Sequence, residues 1–185
     1  ATVRLRDSSV RSGTSASVPR VDIPRVYNAA QDLVERNLAA GRADKIAYVD
    51  DAGTYTFAAL GRRVDRCANA LRGLGLAQEQ RVLVCLLDSV DFPTAFLGSI
   101  KAGIVPVAAN TLLTPTDYAY MLENSRAQAV LVSGSLLPAL TAAMTRSDHE
   151  VGKVIVSRPV APLHPSEVDL ELFLQQHPPA VKPAA

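Results

Sequence analysis

Four short aliphatic runs constrain this chain more than any other feature: Arg81–Leu87, Ile104–Ala108, Ala129–Ser133 and Lys153–Ser157. Each is apolar at successive positions rather than alternate ones, so a strand made from it must be covered on both faces. Their starts recur roughly every 25 residues, the length that a helical crossover between parallel strands requires. The intervening segments can supply those helices, over Asp91–Ala102, Pro115–Asn124 and Ser135–Thr145. The expected fold class is therefore α/β, a mostly parallel sheet covered by helices on both faces.

Punctuation residues set the element ends. Asn28 precedes a periodic stretch in which Ala29, Leu33, Val34 and Leu38 share a face, and Gly41 stops it, so an Asx-started helix is expected. Ile46–Asp50 and Thr54–Thr56 flank Asp51-Ala52-Gly53, a hairpin with glycine in the turn. Thr56 can cap the next helix, whose buried stripe is Leu60, Val64, Cys67, Ala68 and Leu71, ending at Gly73 or Gly75. Thr114, Pro115 and Asp117 form another start: a capping hydroxyl, a first-turn proline and an acid near the positive helix end. After Ser157, three prolines interrupt regular structure until Ser166, read as the cap of a short acidic helix through Phe173 and Leu174. The domain reading is a flexible leader over 1–24, rich in arginine and serine, an α/β unit over 25–176, and an extended, solvated linker over 177–185.

Charge and composition exclude some classes. A net charge of +1 offers no field for nucleic acid or an anionic membrane, and aromatic residues at 5% with no tryptophan give no stacking platform. No apolar run approaches the ~20 residues of a membrane span. Cys67 and Cys85 each sit inside an apolar stretch and read as small core residues, so a reducing cytoplasm is the expected compartment.

Rival chemistries find little support. Gly73-Leu74-Gly75-Leu76-Ala77-Gln78 starts like a dinucleotide fingerprint, but Gln78 replaces the third glycine and the motif lies between a helix and a strand, the reverse of the required order. His149, His164 and His177 have no ligand-type spacing to another His, Cys or acid pair and belong on surface loops. Ser133 and Ser135 lack the leading glycine of a nucleophile elbow, and one of them is expected to cap the following helix. Asp50, Asp51, Asp88 and Asp91 fall at turns and helix starts, where structure alone accounts for them. The candidate site residue is Asn110. It follows a buried strand at the carboxyl end of the sheet, where open α/β folds place ligands, although its amide can equally close the strand-to-helix turn.

Tyr55-Thr56-Phe57-Ala58-Ala59-Leu60 and Leu97–Pro115 (LGSIKAGIVPVAANTLLTP) resemble the first two core motifs of the adenylate-forming superfamily, which includes the acyl-CoA synthetases. The segments YNAAQDLVERNLAAGRADKIAYVDDAG and PVAANTLLTPTDYAYML are similar to its benzoate-CoA ligase branch, and the resemblance extends from Asp22 to Gln176. It implies an aryl carboxylate substrate with ATP, Mg2+ and CoA as cofactors, an acyl-adenylate intermediate, and Asn110 near the nucleotide and CoA region. Many members carry an arginine two residues after this asparagine, suited to a CoA phosphate; here the position is Leu112. The phosphate-gripping loop and the catalytic lysine of the family have no counterpart in these residues, which implies an inactive N-terminal piece with no catalytic residue or metal site of its own. Apolar surface left open on such a piece would favour self-association. The competing reading is a self-sufficient flavodoxin-like module, which would bind a small molecule unaided.

Overall fold

The computed structural model describes residues 24–180 and 182–184, so all of the expected leader except Pro24 lies outside the described residues. Helix α1 (Ala29–Ala39) starts at Asn28, whose side-chain oxygen accepts from the Gln31 amide. Strands β1 (Ile46–Asp50) and β2 (Gly53–Thr56) pair antiparallel as the expected hairpin. Thr56 caps α2 (Phe57–Gly73) by accepting from the Ala59 amide. The alternation then runs β3 (Arg81–Cys85), α3 (Asp91–Ala102), β4 (Val105–Ala108), α4 (Pro115–Ser125), β5 (Ala129–Ser133), α5 (Leu137–Met144), β6 (Lys153–Ser157), β7 (Glu167–Asp169) and α6 (Leu170–Gln175). The start of α4 carries a full capping box, with Thr114 and Asp117 satisfying each other's backbone amides.

The five strands order as β4-β3-β5-β6-β7, every pairing parallel. Alternate residues of the continuous apolar strands divide between two cores, as double coverage requires. Val82, Val84, Leu131 and Ile155 pack under Leu71 of α2, Ala95 of α3 and Phe173 of α6. Leu83, Cys85, Val130, Val132 and Val156 face Tyr118 and Leu122 of α4 and Leu140 of α5. Each such aliphatic side chain contributes about 1.5–3 kcal/mol on burial, so the central strands anchor the fold. The hairpin lies against α2, its Tyr48 and Tyr55 packed around Leu60, Val64 and Val90.

Three expectations change. Residues 167–169 form a fifth strand, and Asp169, not Ser166, caps α6 by accepting from the Leu172 amide. Neither Ser133 nor Ser135 caps α5; a single 3-10 turn over Gly134–Leu136 leads into that helix, which has no side-chain cap. Residues 178–180 and 182–184 have no regular structure and are mostly exposed, as a linker would be, yet side chains of Asn28, Asn69 and Arg72 bind carbonyls among them.

Candidate functional site

In a parallel sheet the loops that leave the carboxyl ends of the strands meet at one edge, and ligands of open α/β folds settle there. Here the loops after β3, β5 and β6 enclose a cleft of about 320 Å³ whose lining includes Leu87, Asp88, Ser133, Ser135, Arg158 and Val160. Gly134 lets two of those loops touch: a Cβ on it would stand 2.4 Å from the Arg158 carbonyl oxygen and 2.9 Å from the Pro159 Cα. The Ser133 hydroxyl, instead of capping a helix, accepts from the Leu87 amide at 2.9 Å and so ties the loop after β3 to the end of β5.

From Asp51 and Arg158 on the cleft lining, a chain of ion pairs runs to a neighbouring crevice lined by Arg63, Asp91 and Glu171. Arg158, in left-handed backbone at φ 50°, donates Nη2 to Asp50 Oδ2 at 2.7 Å and Nη1 to Asp51. Asp91, buried at the start of α3, accepts from the Ser157 hydroxyl at 2.7 Å and from Arg63 Nη2 at 2.7 Å. Arg63 Nη1 reaches Glu171 of α6 at 2.7 Å. Asp50 also accepts from the amides of Val90, Ala52 and Gly53. Five segments of the chain thus converge on these charges: the hairpin turn, α2, the start of α3, the end of β6 and α6.

The energetics follow from the partners. Burial works to raise the Asp50 carboxyl, but the Val90 and Ala52 amides and the Arg158 guanidinium outweigh it and hold the pKa below the usual range. Glu171 is likewise held low against its burial by Arg63. The bond to Asp51 raises the pKa of Arg158 above its ordinary value. Both guanidiniums, Arg158 on the cleft and Arg63 in the neighbouring crevice, are already paired with carboxylates, and among the described residues no group of three His, Cys, Asp or Glu side chains converges as metal ligands.

Asn110 sits where expected, at the carboxyl end of β4, but not among the residues lining the cleft. Its Oδ1 accepts from the Leu112 amide at 2.9 Å, closing the turn, and its carbonyl accepts from the Tyr118 hydroxyl at 2.9 Å. Tyr118 is buried, and its hydroxyl also meets Cys85 Sγ at 3.3 Å. Leu112 is 88% exposed beside this turn. Both cysteines are free and buried, and burial pushes the Cys67 thiol up to about 12. The glycine pair Gly73 and Gly75 lies before β3, at the opposite end of the sheet from the cleft. Sequence reasoning explained Asp50 and Asp91 singly and missed Arg63 and Arg158, since no local spacing joins residues 28 to 108 positions apart.

The fold and cleft define an open parallel α/β unit whose ligand edge is built from loop contacts. The AMP-binding enzyme family model matches residues 34–184, and the chain belongs to that family. Benzoate--CoA ligase of Thauera aromatica is 58% identical over 125 residues, covering 67% of this chain and 24% of that protein. The 4-hydroxybenzoate--CoA/benzoate--CoA ligase of Rhodopseudomonas palustris is 45% identical over 125 residues, 68% of this chain and 23% of its own. Among solved structures, a benzoate CoA ligase from Burkholderia xenovorans LB400 superposes with a TM-score of 0.76 at 45% identity, over 86% of this chain and 30% of that one. An anthranilate CoA ligase in complex with anthranoyl-AMP gives a TM-score of 0.81 at 29% identity, over 88% and 30%. The chain spans about a quarter of the length of the curated relatives it matches. No helix among the described residues is long and apolar enough to cross a membrane.

Proposed function

We propose that these residues are the N-terminal part of an ATP-dependent aryl acid–CoA ligase of the cytoplasm that converts benzoate, ATP and CoA to benzoyl-CoA, AMP and pyrophosphate. The observation that carries this is the 58% identity to the benzoate--CoA ligase of Thauera aromatica. In the reaction the carboxylate attacks the α-phosphate, releasing pyrophosphate, and the CoA thiol then displaces AMP. Mg2+ would accompany the triphosphate. The present residues contribute scaffold: the chain of ion pairs locks the hairpin and α6 onto the carboxyl edge of the sheet. The charges that act on phosphate belong to other parts of the ligase. Asn110 shapes the turn nearest the nucleotide and CoA region, with Leu112 leaving the CoA phosphate to other cations.

Benzoate-dependent release of AMP by the complete gene product, with benzoyl-CoA detected by mass, tests the reading. Turnover confined to fatty acids or to no acid at all would overturn it. The 185 residues alone are expected to show no release above a protein-free control.

A further inference from the structure

Residues 178–184, Pro-Pro-Ala-Val-Lys-Pro-Ala, are poor in donors, since three of the seven are prolines with no amide hydrogen. What they offer is carbonyl oxygens, and the surface beneath them offers donors. Asn69 Nδ2 on α2 donates to the carbonyls of Pro178 at 2.7 Å and Ala180 at 2.9 Å. One helical turn on, Arg72 Nη1 donates to the Lys182 carbonyl at 2.8 Å. Asn28 Nδ2 donates to the Ala184 carbonyl at 3.1 Å and, at 2.9 Å, to the Ile100 carbonyl at the end of α3. A return bond runs from the Ala184 amide to the Lys101 carbonyl at 2.9 Å, an oxygen that Arg72 Nη2 also approaches at 3.3 Å.

The sequence spacing makes sense on this basis. Positions 69 and 72 lie on one face of α2, three residues apart, and so present their donors in a row. Asn28 uses its oxygen to cap α1 and its amide nitrogen for the segment, since a carboxamide carries an acceptor and two donors at once. Beyond that row, Pro179 lines the crevice between α1 and α2 that Lys101 and Asp65 also border. Every hydrogen bond that Asn28, Asn69 and Arg72 give the segment goes to main-chain carbonyls, so these bonds do not depend on which side chains the segment carries.

We propose that Asn28, Asn69 and Arg72 form a binding track for irregular, proline-rich main chain, taken by residues 178–180 and 182–184 of this same chain. The track makes that segment an integral part of the α/β unit, and the family model's match over residues 34–184 includes Asn69, Arg72 and the segment they hold. The inference does not depend on the ligase reading.

Amide exchange of the 185-residue chain, followed by NMR, tests it. The Ala184 amide should exchange at least about tenfold more slowly than in an unstructured peptide, as a bonded group does. Asn69→Asp keeps the side-chain shape but turns two donated bonds into carboxylate facing carbonyl. Combined with Arg72→Met it should speed Ala184 exchange by about tenfold, while Leu131 in β5 keeps its protection. If the double variant also loses Leu131 protection, Asn69→Asp alone is measured against the same two amides. An unstructured rate at Ala184 in the unmodified chain, or an unchanged rate in a folded variant, would overturn the track.

Discussion

Asp50 shows how one residue serves two levels of structure. Its carboxylate closes the hairpin turn through the Ala52 and Gly53 amides and joins that turn to Arg158 and to the Val90 amide. Asp50→Asn should cost about 1 kcal/mol, because it leaves Arg158 facing a neutral group, while the 39% exposure of the Arg158 side chain lets solvent screen the pair. Chemical denaturation of the variant against the unmodified chain measures this. The pH dependence has a definite sign. The folded carboxyls of Asp50 and Glu171 lie below their unfolded values, so unfolding takes up protons as the medium is acidified. Their contribution is present above the ordinary carboxylate pKa of about 4 and is lost as pH falls through the lower folded values. Arg158→Met should flatten the stability profile between neutral pH and about pH 3. At Asn110 the bond to the Leu112 amide leads us to expect a loss of about 1 kcal/mol in Asn110→Ala, with near-unchanged kinetics in the complete ligase. A tenfold fall in kcat/KM at an unchanged melting temperature would assign the turn to substrate binding instead, since it equals about 1.4 kcal/mol of transition-state stabilisation.

Elements were legible in proportion to how local their signals are. The continuous runs Val82–Cys85, Val130–Val132 and Val154–Val156 announced a covered parallel sheet, and Asn28, Thr56 and Thr114 marked the starts of their helices. Strand β7 was not legible: Glu167-Val168-Asp169 has a single apolar residue and becomes a strand only because the edge of β6 accepts it. Ser133 misled for the opposite reason. Its position before a helix suits a cap, yet its hydroxyl finds the Leu87 amide, 46 residues earlier in the chain. The cleft was legible only as an edge of the sheet, because the ion pairs beside it join distant segments. Gly134 is where element packing is tightest. Gly134→Ala should destabilise by about 1–3 kcal/mol, since the added carbon meets backbone that cannot rotate away. A melting temperature within a degree of the unmodified chain would show that the loop after β6 yields.

At the scale of the whole molecule, both sheet faces are covered, and the apolar surface left open includes Leu87 and Val160 beside the cleft. We expect the 185-residue chain to self-associate through such surface at high concentration, as light scattering would show; a clean monomer would count against it. The outer edge of β4 is a poor place for that contact. The amides of Val105 and Ala109 point to β3, bonding Gln80 and Val84, so the alternate positions 106 and 108 turn outward. Position 106 is proline and has no hydrogen to give. A strand laid against β4 would meet a gap in the middle of its ladder, which guards this side of the molecule against runaway sheet growth in a crowded solution and leaves β7 as the side where another strand could be added.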